Sequence, residues 1–171
     1  GNKNFIINGA MNVAQRGTSV SSAGGSDGYL TVDRWKSVFN SAGRLTISQT
    51  ADGPSGFANC LKCACTTADT SVAASEYFFL QQSFEGQNLQ SFAKGTTDAK
   101  SFAVSFWVKG NAAATYVCEL YDNDNTRQIS KTFSVTTSWS RVELIFPPDT
   151  TGALDDDNAK SFNLAIWLHA G

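Results

Sequence analysis

The chain has 171 residues and a formal net charge of -2, and it is 42% hydrophobic, 12% aromatic and only 16% charged. The length suits one domain that buries roughly 70% of its unfolded surface, and the sparse charge excludes a disordered tail or a charge-laced helical bundle. With no basic block, neither a nucleic-acid partner nor a membrane partner is expected. No apolar run approaches the roughly 18 residues of a membrane span, and no basic-then-apolar leader opens the sequence. The missing initial Met points to processing or to a piece of a longer protein.

A period of two governs most of the chain. In order, strand-like runs fall at Tyr29–Asn40, Arg44–Thr50, Phe57–Thr66, Glu76–Phe84, Phe102–Lys109, Thr115–Tyr121, Gln128–Val135, Arg141–Phe146 and Phe162–His169. They are rich in Thr, Val, Phe, Tyr and Trp, which suit a pleated, half-buried surface. Turn clusters separate them at Ala23–Gly28, Ala51–Gly56, Gly95–Lys100, Asp122–Thr126 and Pro147–Asn158. Only Gly86–Phe92 offers a helical turn, too short to shape the fold. The adjacent Pro147 and Pro148 end a run, where they break no central ladder. Many short strands at near-regular spacing predict an all-β fold: one antiparallel β-sandwich over 1–171, most simply a jelly roll.

Alternation also sorts the side chains. Phe102, Val104, Phe106 and Val108 form one face of their run, with Ala103, Ser105, Trp107 and Lys109 on the other. Phe162, Leu164, Ile166 and Leu168 likewise oppose Asn163, Ala165, Trp167 and His169. Trp107 and Trp167 are therefore expected off the core. Three partners remain open for them: a glycan groove, an interface with sister subunits, or a covering layer of the same chain. Sugar rings stack their C–H faces on aromatic rings, and Ser105, Lys109, Asn163 and His169 would serve the hydroxyls if the two strands are sheet neighbours.

Near the amino terminus, Asn4-Phe5-Ile6-Ile7-Asn8-Gly9 precedes Gln15-Arg16-Gly17, and then come Tyr29 and Asp33-Arg34-Trp35. Asp33 and Arg34 would point to opposite faces of one strand. An ion pair of Arg16 with Asp33 is expected to fasten the terminal segment to a sheet. Together with Tyr77, Gln81-Gln82, Glu85, Ser105-Phe106-Trp107-Val108-Lys109 and Trp139-Ser140-Arg141, this order resembles a module of tailed-phage structural and tail-fibre proteins. It is similar also to the jelly-roll carbohydrate-binding modules fused to glycan-active enzymes. The resemblance runs from about Asn4 to Gly171. It implies a non-catalytic virion module (tail fibre, head fibre or capsid decoration) assembled in the bacterial host cytoplasm. Its implied partners are sister subunits, with a trimer favoured, other virion proteins, and host surface glycans. A carbohydrate-binding module of a larger enzyme is the alternative.

The remaining chemistry-bearing residues have plainer expectations. Cys60, Cys63 and Cys65 lie along one strand, which cannot converge them on the roughly 2.3 Å shell of a zinc ion, so free thiols are expected. The run Asp155-Asp156-Asp157-Asn158 lacks the spacing and glycine of a calcium loop and reads as a solvated turn. Asp155 and Asp157 are nevertheless the calcium candidates, and no other cofactor is expected. Asp122 and Asp124 read as hairpin-tip residues. Glu76 and Glu85 have no spacing that makes a glycosidase pair, and the lone His169 has no nucleophile motif around it.

Overall fold

The computed structural model describes residues 3–171. Its regular structure consists of ten strands and two single 3-10 turns, Gly86–Asn88 and Gln90–Phe92, which occupy the one stretch expected to turn. Two compact units emerge: the residues up to Gln82 together with Ile166–Gly171, and Ser83–Ala165. Strands β5 (Tyr77–Glu85) and β10 (Lys160–Ala170) run through both.

In the first unit β1 (Ser19–Ala23), β3 (Arg44–Thr50) and β4 (Cys60–Thr67) form one sheet in the order β1-β3-β4, and β2 (Lys36–Asn40) joins β5 and β10 in the order β2-β5-β10. The two sheets bury facing side chains. Phe39 and Phe78 sit opposite each other in the β2–β5 ladder with rings stacked at 4.6 Å. They join Ala23, Leu45 and Ile47, with Val20, Leu61, Cys63, Leu80 and Leu168 packed around them. Burying a Phe or Ile side chain contributes roughly 1.5–3 kcal/mol, which makes this cluster the anchor of the unit.

Two strand expectations need correction here. The run Tyr29–Asn40 is a strand only from Lys36, because Thr31–Arg34 forms a turn in which Arg34 takes a positive φ of 73°. Asp33 and Arg34 are thus turn residues, not opposite faces of a strand. Phe57 likewise lies outside β4, in a turn closed by its N–H donating to the Pro54 carbonyl at 2.9 Å. Conversely, β1 escaped the sequence reading, since its Ser-Val-Ser-Ser-Ala run followed by Gly24-Gly25 reads as a loop.

The expected Arg16–Asp33 ion pair does not form either. Asp33 accepts the backbone N–H of Gln15 at 2.9 Å instead, and Arg16 is exposed. The amino-terminal segment is fastened by amides. Gln82 is 2% exposed and bonds both the N–H and the carbonyl of Ile7, at 2.8 and 2.9 Å. Asn8 holds the carbonyls of Val13 and Asp33 and the N–H groups of Asn12 and Val13. A carboxylate satisfying a turn backbone gains a charge-assisted bond without ordering a long exposed Arg, which is why the turn wins.

In the second unit β7 (Ala114–Asp122) and β8 (Arg127–Val135) form a hairpin that continues the order β10-β7-β8, while β6 (Phe102–Val108) pairs with β9 (Ser140–Phe146). Aromatic contacts bridge the layers: Phe102 stacks on Phe162 at 5.1 Å, and Phe106 meets Phe133 edge-on at 5.0 Å. The hairpin tip is where expected, with its left-handed residue at Thr126, φ 53°.

Asp122 is not a solvated tip residue. It is 1% exposed, and its Oδ2 lies 2.5 Å from Nζ of Lys94, itself 7% exposed. Lys94 also donates to the carbonyls of Thr151 and Gly152 at 3.0 and 2.7 Å and lies 3.2 Å from Asp149. Asp149 in turn makes a two-point contact with Arg127 at 2.8 and 3.0 Å. One ammonium thus pins the 149–152 loop to the end of β7. Lys94, Asp122, Arg127 and Asp149 line an open pocket of about 230 Å³ with Phe102, Phe146 and Pro147.

Candidate functional site

The face of the first unit's β2-β5-β10 sheet that turns away from its core carries the most distinctive side chains. Since Phe78, Leu80 and Leu168 pack inward, alternation sends Tyr77, Phe79 and Gln81 of β5 and Trp167 and His169 of β10 to the opposite side. Across the β2–β5 ladder these β5 residues face Asn40, Val38 and Lys36 respectively. Phe79 and Trp167 have ring centroids 4.3 Å apart at 34°, Tyr77 and Phe79 lie at 5.6 Å, and Tyr77 meets Trp167 edge-on at 5.7 Å. All three rings are half-buried, so each braces its neighbours while leaving part of its surface to solvent.

Chemically this is an apolar aromatic surface bordered by neutral amides and one cation. Ring π-faces attract polarised C–H groups, and an amide offers both a donor and an acceptor. Asn40 is tied down by donation to the Ser75 carbonyl at 2.6 Å. Lys36 pairs loosely with Asp27 at 3.9 Å. His169 has a buried Nε2 with no hydrogen-bond partner among the described residues.

Of the residues singled out from sequence, Trp167 and His169 belong to this face. Trp107 does not: it sits on β6 in the second unit, and β6 pairs only with β9. The condition set for a shared groove, that the two strands be sheet neighbours, is not met: β6 and β10 are in different sheets. On the β6–β9 ladder Trp107 lies opposite Arg141 and Ser105 opposite Glu143, on an exposed face where Arg141 and Glu143 pair at 2.7 Å. Trp107 is 42% exposed and Ile145, on the same face, 49%. Lys109 Nζ lies 5.2 Å from the Trp139 ring centroid. Asn163 is 7% exposed and belongs to the second unit.

The acidic candidates take part in loop hydrogen bonds. Asp155 donates its N–H to Asp124 at 2.9 Å, and Asp157 accepts the Ala159 N–H at 3.0 Å. Among the described residues no group of three His, Cys, Asp or Glu side chains converges on a metal position. None of Cys60, Cys63, Cys65 and Cys118 is in a disulfide. Burial, with Cys60 adding to it, pushes the Cys63 thiol up to about 12, and burial does the same for Cys118. Asp149 is held down at about 2, first by the Arg127 hydrogen bond.

Tyr77 and Phe79 were missed as site residues. The signal was present: β5 is aromatic on consecutive positions, Tyr77-Phe78-Phe79, so one ring at least must leave the core face.

No protein-family model and no curated protein matches the chain. Among solved structures it is similar to the one described as "CBM4 structure and function", with a TM-score of 0.51 and 14% identity over 95% of this chain and 88% of that one. The fold is thus an antiparallel β-sandwich jelly roll. Two further structures are similar at lower scores. The enzymatically active domain of tailspike protein 4 of bacteriophage CBA120 has a TM-score of 0.49 and 12% identity over 90% of this chain and 19% of that one. The C-terminal family 22 carbohydrate-binding module of Clostridium thermocellum Xyn10B has a TM-score of 0.46 and 13% identity over 92% and 87%.

Proposed function

We propose that this chain is a non-catalytic carbohydrate-recognition module that stacks a glycan on Tyr77, Phe79 and Trp167. The observation that carries the reading is this triad, three half-buried rings within 6 Å of one another on the sheet face opposite the core. Mutual packing fixes the rings beforehand, so little side-chain freedom is lost on binding. The jelly-roll fold shared with a CBM4 structure supports the same reading. The carboxylates of Glu76 and Glu85 are engaged locally: Glu76 accepts the Ala73 N–H at 2.6 Å, and Glu85 accepts from Gln87 at 2.7 Å. The proposal includes the virion setting implied by the amino-terminal resemblance, in which a tail-fibre, head-fibre or decoration protein touches host glycans. A module of a larger glycan-active enzyme is its alternative. A glycan array with wild type, Trp167→Ala and Phe79→Ala tests the reading. Wild type should retain a defined set of glycans and both variants should lose them by about tenfold or more. Unchanged binding by both variants refutes it.

A second reading concerns assembly, and Trp107 with Ile145 motivates it, because two large apolar side chains share one exposed face. Self-association through this face, with a trimer favoured, predicts an oligomer in light scattering that Trp107→Ala weakens. A monomer at every accessible concentration ends it.

A further inference from the structure

The core-facing side of β8 is covered at one end of the strand and open at the other. Phe133 and Val135 are 5% and 2% exposed, and alternation puts Lys131, Ile129 and Arg127 on the same face. The contacts agree with that parity. Lys131 Nζ lies 5.9 Å from the Phe146 ring centroid, and Arg127 and Ile129 wall the open pocket of about 230 Å³ in the second unit. Yet Ile129 is 38% exposed. Half-buried Phe102 and exposed Pro147 line the same mouth, over a floor of Leu120, Phe146 and Phe162. Apolar side chains gathered at an open mouth mark a place for an apolar group from outside.

The polar groups of the pocket narrow the ligand. All three ammonium hydrogens of Lys94 are taken, by Asp122 and by the Thr151 and Gly152 carbonyls. Asp149 accepts from Arg127 twice and from the Thr151 N–H. A polyhydroxylated ring would therefore leave most of its hydroxyls unpaired, which is costly. What remains is cationic. Arg127 uses only Nε and one Nη2 hydrogen on Asp149, so its outer edge keeps N–H groups in the fork that suits a carboxylate. Lys131 has no ion-pair partner among the described residues. As for size, an apolar cavity of roughly 150 Å³ accommodates benzene, so about 230 Å³ takes a benzene ring with a short arm.

We infer that this mouth binds a small aryl monocarboxylate, its ring among Phe102, Ile129 and Pro147 and its carboxylate on the outer edge of Arg127, with Lys131 adding to the attraction. The site lies wholly within the second unit and does not depend on the glycan-binding reading. Phenylacetate is the probe, titrated into the full chain by calorimetry and by NMR of the backbone amides. Phenylacetamide keeps the ring and loses the charge, and glucuronate keeps the carboxylate on a hydroxylated ring. Phenylacetate should bind with a Kd of about 1 mM, about tenfold tighter than either comparison, and shift the amides of residues 127–129 and 146–149. Arg127→Gln and Ile129→Glu should each weaken it about tenfold. Ile129→Glu, at an exposed position, should leave the melting temperature unchanged, so it decides the matter if Arg127→Gln disturbs the 149–152 loop. Equal affinity for phenylacetamide refutes the carboxylate contact, and tighter binding of glucuronate makes the pocket a sugar site; either overturns the inference. So does an unchanged Kd in Ile129→Glu, or no binding of phenylacetate at about tenfold the expected Kd.

Discussion

Replacing Lys94 by Met removes the ammonium paired with the Asp122 carboxylate, which is 1% exposed. Asp122 would keep its bonds from the Asn125 N–H and Nδ2 at 3.0 and 2.9 Å, but its charge would lose its contacting ion-pair partner. The carbonyls of Thr151 and Gly152 would lose their donor as well. Breaking a buried pair from one side costs about 3–5 kcal/mol. In a chain of this size each kcal/mol corresponds to roughly 2–4 °C of melting temperature, so Lys94→Met should melt about 6–20 °C lower. Urea unfolding followed by circular dichroism supplies the free energy. The double variant Lys94→Met with Asp122→Asn should recover part of the loss, because no uncompensated charge then remains. A loss under about 1 kcal/mol for Lys94→Met, or no recovery in the double variant, would refute the view that the ammonium is a buried counter-ion.

Other outcomes follow from the same physics. Asp149 has its carboxyl depressed to about 2, chiefly by Arg127. Its contribution to stability is therefore present above the usual carboxylate range near pH 4 and is lost as pH falls through about 2, and Arg127→Ala should move that acid limb to higher pH in a pH-dependent melt. Cys63 and Cys118, pushed up to about 12, should resist thiol reagents at pH 8 in the folded protein, whereas the exposed Cys65 reacts; mass mapping after alkylation would show otherwise if the packing is wrong. Phe78→Ala, at 1% exposure in the first unit's core, should cost about 3–5 kcal/mol, and a loss near zero would contradict the stacked Phe39–Phe78 arrangement.

The sequence reading succeeds where information is local and fails where it depends on partners far along the chain. The run Arg44–Thr50 coincides with β3, and the late runs match β6 to β10 within a residue or two, because alternation is a property of each strand alone. Tyr29–Asn40 fails halfway because Asp33 is recruited by Gln15, eighteen residues earlier. Lys94 stands beside the Gly95–Lys100 turn cluster, where nothing local marks it for burial, and a loop more than fifty residues later supplies its two carbonyls.

Alone, the order of residues determined an all-β chain, its turns, and the fact that some rings must leave the core, since each strand can hide only one of its two faces. Tertiary structure decided the rest. It put Trp107 and Trp167 in different sheets, brought Tyr77 and Phe79 to the latter, and sank Asp122 against Lys94. Strand order and buried charge pairing depend on contacts across long stretches of chain, and a two-residue period carries no record of which neighbour it will meet.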